Sequence, residues 1–115
     1  SMYKPFHLIG LELSISVLSA ALRQEPTGQA REMRGTVASV AKRALKAGEV
    51  LDGEGGYTVW GKALPLSRAG AALPIGLAHG VRVTRDIAAG AVLMLDDVDL
   101  SGNDAATLYR AAIAG

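Results

Sequence analysis

Clustered glycines let backbone N–H groups approach a phosphate closely, and this chain carries such a cluster at Gly53-Glu54-Gly55-Gly56. Two tests go against phosphate chemistry there. A dinucleotide fingerprint needs glycine at position 58, where Thr58 stands, and a helix after it. Tyr57, Thr58, Val59 and Trp60 predict a strand instead, and no phosphate-loop pattern ending in Gly-Lys-Ser/Thr occurs. The cluster reads first as a turn between two strands. The second reading is that Asp52 and Glu54, carried on that turn, face an active site or a subunit boundary. With Arg82 and Arg85 these two acids are the candidates for a substrate pocket, a polar set suited to a sugar acid.

Other reactive types are sparse. His7 and His79 are remote from each other, with no supporting cluster for a metal, so the chain is expected to bind none. His79 reads as the first residue of a strand and His7 as part of a helix's first turn. Asp96, Asp97 and Asp99 lack the calcium-loop pattern and predict a solvated turn in which one carboxylate caps a short helical turn. No serine sits in a Gly-x-Ser-x-Gly elbow. The chain has no cysteine, which excludes disulfides and thiolate chemistry. No catalytic residue is expected.

The elements that must position these residues change character along the chain. Pro5 suits a helix's first turn. Leu8, Leu11, Ile15, Leu18 and Leu22 recur at helical spacing with Ile9, Leu13 and Val17 beside them. This predicts a helix within residues 6–22, ended by Arg23, Pro26 and Gly28. Its apolar surface leaves only Glu12 and the serines for water, so it calls for a partner on more than one side. Glu12 at its centre argues against both a membrane span and a secretion leader, although Leu18-Ser19-Ala20-Ala21 imitates a cleavage site. Residues 24–35 read as a linker. Val-rich runs broken by glycine and proline follow, predicting strands at 37–43, 49–51, 57–62, 81–86 and 91–93. Residues 67–72, between Pro65 and Pro74, read as a loop or short turn. Residues 103–114 predict a short final helix, with Ser101, Asn103 or Asp104 as its N-cap.

The 115 residues fit one domain, half of them apolar and a fifth charged, which is a globular composition. With only five aromatic side chains, the core must be built from Ala, Val, Leu and Ile, and Trp60 is expected in the core or an interface. A formal charge of +1 gives no field to attract nucleic acid or an anionic membrane. Ser1 before Met2 looks like a cloning scar, so the chain is read as part of a longer protein.

The most informative pattern is an internal echo. Arg43-Ala-Leu45-Lys-Ala47-Gly48-Glu-Val50-Leu51 returns 42 residues later as Arg85-Asp-Ile87-Ala-Ala89-Gly90-Ala-Val92-Leu93. Each copy predicts a strand, a tight Ala-Gly turn and a second short strand, with Gly48 and Gly90 supplying positive φ. Two copies imply two hairpin-like units related by an approximate two-fold axis, each covering the other's apolar face.

At these residues the chain resembles the SAF superfamily, whose members pair an Arg-x-Ile/Leu-x-Ala-Gly-x-Val-Leu segment with an acidic turn, here Leu95-Asp96-Asp97-Val98. The resemblance covers about residues 36 to 100 and implies a β-clip fold. A narrower resemblance rests on Tyr3-Lys4-Pro5-Phe6-His7-Leu8-Ile9-Gly10-Leu11-Glu12, on Pro26-Thr27-Gly28 and on the stretch from Leu51 to Val59. These look like segments of homoserine-dehydrogenase-like NAD(P)-dependent oxidoreductases with a SAF domain at the C-terminus, a set similar to the reductoisomerase-like enzyme that makes methylerythritol phosphate. The resemblance implies that the dinucleotide and hydride-transfer regions lie outside this chain.

The expectations are therefore a mostly β, SAF-like β-clip domain at 29–103, preceded by an N-terminal helix and linker start at 1–28 and followed by a short C-terminal helix at 104–115. The expected role is a non-catalytic accessory and oligomerisation domain of a cytoplasmic oxidoreductase. NAD(P) would be bound by the parent enzyme and no cofactor by this chain. The expected partners are other domains of the same enzyme and further copies of itself, with neither nucleic acid nor membrane. Two alternatives stand beside it: a stand-alone sugar or sugar-acid binding module, and a secreted assembly chaperone of the flagellar type.

Overall fold

The computed structural model describes residues 3, 5–29 and 31–114. They fall into two compact units, residues 1–32 and 33–115.

The first unit is a helix with a returning tail. Helix α1 spans Ile9–Leu18 and continues as a wider π-helical turn over Ser19–Arg23. Gln24, in the left-handed region at φ 55°, reverses the chain. The tail then folds back along the helix, where the Ser19 hydroxyl donates to the Glu25 carbonyl (3.1 Å) and Ser16 meets Thr27 (3.1 Å). Regular helix begins later than the expected residue 6. The Glu12 carboxylate reaches back to the N–H of Leu8 (3.4 Å), tying down the helix start. No residue of α1 is buried. Ile9, Leu11, Leu13, Ile15 and Val17 follow each other at steps of two, which on a helix alternate between opposite sides, so apolar side chains surround it.

The second unit mixes strands and helices: two small antiparallel sheets with two of the three α-helices. Strand β1 (Gly35–Ala41) pairs along its whole length with β3 (Val59–Pro65). Strand β2 (Val50–Asp52) pairs with β4 (His79–Val83), which also pairs with β5 (Val98–Asp99). Helix α2 (Leu66–Ala69) overlaps the stretch 67–72 expected to be a loop or short turn, and α3 (Asp104–Ala114) closes the chain. The N–H of Ala106 bonds to the Asn103 side chain (3.0 Å), so of the three candidate caps Asn103 serves. Strand bounds shift by a few residues from expectation. In the run expected at 91–93, only Val92 makes a bridge, to Val40.

The echo is realised as paired structure. Leu45 and Ile87 exchange both backbone hydrogen bonds, each 2.9 Å. The flanking backbone bonds at the two turns recur under a 42-residue exchange. Gly48 N–H donates to Val83 O (2.7 Å) and Gly90 N–H to Ala41 O (2.8 Å). Val83 N–H donates to Glu49 O (2.8 Å) and Ala41 N–H to Ala91 O (2.9 Å). The bridges Val50–Arg82 and Val40–Val92 match in the same way. Gly48 and Gly90 both take positive φ, 92° and 78°. Leu45, Leu51, Ile87 and Leu93 from the two copies are buried in one core with Val59, Leu73, Val83, Leu95 and Val98. Tyr109 and Ile113 of α3 pack against that core, which joins the final helix to the same unit. It is the aliphatic core that the shortage of aromatic residues demanded.

Candidate functional site

The two halves differ most at the corner after the second short strand. In the first half Lys42 N–H donates to Thr58 O (2.9 Å); in the second, Thr84 N–H donates to Asp97 O (2.8 Å). The donors are 42 apart and the acceptors 39, so the first corner carries three more residues. These belong to the glycine-rich stretch.

The longer corner is tied from inside. The Asp52 carboxylate accepts the N–H groups of Tyr57 (2.6 Å) and Thr58 (3.0 Å) and the Thr58 hydroxyl. Those donors, the Thr58 hydroxyl first, hold its carboxyl down at about 2, against an ordinary 3.8. The Lys42 ammonium caps the Gly56 carbonyl. A side chain at 56 would collide with the Asp52 carboxylate, and one at 53 would come within 2.9 Å of His79 Nδ1, so glycine is required at both places. His79, the first residue of β4 as expected, also contacts the Asp52 carbonyl through Nδ1 (3.3 Å). Tyr57 stands out from this corner, 85% exposed.

The four pocket candidates are each placed differently. Asp52 is consumed by its own loop. Glu54 is exposed on the same loop. Arg82 donates to the Gly48 carbonyl (2.6 Å), at the other turn. Arg85 pairs with Asp97, whose second oxygen accepts Met94 N–H (2.8 Å). Asp52 and Glu54 thus share a corner, while each arginine is engaged at a corner of its own. Two grooves mark the surface, one lined by Ile15, Leu18, Leu22 and Pro26 of the first unit, the other by Arg34–Val37 with Ala63–Pro65. None of the four candidates lines either one.

Asp97 corrects one expectation. It caps its turn as foreseen but is only 2% exposed, because Arg85 and the Met94 N–H replace water around it. Trp60 is half-exposed at 44% on β3 rather than in the core. Thr58 and Lys42, which lock the loop, were not singled out from the sequence. Aligning the two echo copies beyond residue 51 would have exposed the three extra residues and the side chains that serve them.

Chemically the corner offers little to a substrate. A carboxylate held at about 2 by three donors is a poor general base near neutral pH. Among the described residues, no group of three or more His, Asp or Glu side chains could hold a metal ion. No helix among them is long and apolar enough to cross a membrane. In comparison with known proteins, the chain matches no family model and no curated sequence.

Proposed function

We propose that this chain is a non-catalytic accessory domain of the SAF-like β-clip type, serving a homoserine-dehydrogenase-like NAD(P)-dependent oxidoreductase of the cytoplasm. Its task is to join domains and subunits. One observation carries the reading: α1 leaves Ile9, Leu11, Leu13, Ile15, Val17 and Leu18 between 53% and 75% exposed on all its sides. Isolated helices this short are marginal in water, and most helical stability comes from packing. An amphipathic face would suit a membrane surface, but a helix apolar all round suits a slot between protein elements. Together α1 and its π turn cover 15 residues, roughly 22 Å, shorter than the hydrocarbon core of a bilayer. The interlocked pair of Ala-Gly corners supports the β-clip assignment, and the absorbed polar groups of both corners support a structural role.

The test has two arms. NADPH titrated into the purified chain is expected to show no saturable binding, and a micromolar Kd would overturn the reading. Added to an oxidoreductase of this type truncated before its C-terminal domain, the chain is expected to form a stoichiometric complex. The paired substitutions Leu11→Lys and Ile15→Lys are expected to abolish that complex.

A further inference from the structure

We infer that the outer edge of β3 is a self-association site, on which a second copy of this chain pairs its own β3 antiparallel about Gly61. The inference rests on the oligomerisation part of the proposed function and is independent of α1.

The hydrogen-bond directions of β1 show which backbone groups of β3 are free. Ser39 and Ala41 spend both N–H and C=O on the other side of β1: Ser39 on Leu73 and Leu93, Ala41 on Gly90 and Ala91. Backbone direction alternates along a strand, so Ala38 and Val40 point toward β3, where they pair with Lys62 and Trp60. The N–H and C=O of Gly61 and Ala63 therefore point away from β1. Among the described residues no hydrogen bond reaches them. Residues 60–63 are exposed in succession, as an uncovered edge strand must be. The sheet has only two strands, which a matching pair would extend to four.

Charge selects the register. With the two-fold axis at Gly61, the two Gly61 residues exchange both backbone bonds. Trp60 then lies opposite the partner's Lys62, and Lys62 opposite the partner's Trp60. These are the closely spaced, non-hydrogen-bonded positions of an antiparallel ladder, where side chains meet. The Trp60 ring is half-exposed, and the Lys62 ammonium has no acidic partner among the described residues, so each is available for a cation–π contact made twice. An axis at Lys62 sets like charges directly opposite each other. An axis at Ala63 sets Gly61 against Pro65, which has no N–H to give. A lysine on an edge usually repels further strands; here the tryptophan two residues earlier turns it into a complementary partner.

Sedimentation of the full chain over a concentration series is expected to show a monomer–dimer equilibrium. Lys62→Glu is expected to weaken it about tenfold or more, through loss of two cation–π contacts. Trp60→Ala, which removes the ring that faces the partner's Lys62, is expected to weaken it by a similar factor, while Leu11→Lys with Ile15→Lys leaves it in place. The chain has no native cysteine, which makes cross-linking specific. Under mild oxidation, chains carrying Trp60→Cys mixed with chains carrying Lys62→Cys are expected to form heterodimers, while neither variant links to itself. A monomer at every concentration overturns the inference. So does a dimer lost on charging α1 but indifferent to both β3 changes, or cross-linking that is as strong within each variant as between them.

Discussion

Asp52 shows how a carboxylate in a glycine-rich loop can be consumed by the loop itself. Its oxygens accept two backbone N–H groups and the Thr58 hydroxyl, which in turn accepts the Asp52 N–H, in a reversal with little side-chain bulk. Because its folded value of about 2 lies below the ordinary 3.8, its contribution is present above pH 3.8 and lost as pH falls through 2. Glu49 and Asp86 shift the same way. The Arg43 guanidinium lowers Glu49 first, and the Lys46 ammonium lowers Asp86 first. Acid titration followed by NMR is expected to show the amides of Tyr57 and Thr58 losing protection between pH 4 and 2, with Asp52→Ala losing it already at neutral pH. Protection unchanged in that variant would mean the loop is held by Lys42 and its glycines without the carboxylate. The sequence placed Asp52 and Glu54 beside each other at the glycine-rich corner, where Asp52 is the last residue of β2 and Glu54 lies on the turn that follows. It could not say that Asp52 faces inward, because that depends on Thr58 returning to meet it.

At the scale of elements, the paired corners behave as two uses of one device. Gly48 and Gly90 sit at φ 92° and 78°, where a side chain is strained, and no neighbour lies within 4 Å of an added Cβ at either place. The cost of alanine is therefore conformational and similar at both, about 1–2 kcal/mol. Urea denaturation of Gly48→Ala and Gly90→Ala is expected to show matched losses of this size. Leu45→Ala, which empties a position only 1% exposed at the symmetric contact, is expected to cost roughly 2–5 kcal/mol. A large difference between the two glycine variants would mean that the halves are not equivalent in energy. These corners were legible because turn chemistry is local and occurs twice in register. Helix α2 was not, since Leu66–Ala69 is four residues long and is started by the Leu66 N–H bonding to Arg34 O (2.8 Å), a contact remote in sequence.

At the scale of the whole molecule, the two units differ in how much they bury. The second holds a closed aliphatic core, whereas α1 contributes no buried residue. Exposed positions tolerate substitution within about 0.5 kcal/mol. Charging α1 through Leu11→Lys and Ile15→Lys is thus expected to leave the denaturation midpoint of the isolated chain unchanged while raising its solubility. A marked loss of stability would mean that α1 is packed in this chain and does not await a partner.

The sequence by itself determined the local and the periodic features. These are the broadly apolar first helix, the repeated Ala-Gly turns, the short final helix and an aliphatic core, each set by neighbours a few residues apart or by a pattern stated twice. Only the tertiary structure decided that Leu45 bonds to Ile87 and that Asp97 is buried under Arg85. It also decided that Asp52 turns into its loop and that β3 ends its sheet with Gly61 and Ala63 facing outward. Those outcomes depend on which backbone groups meet across long stretches of chain, and a hydrogen bond between distant residues leaves no periodic trace in their order.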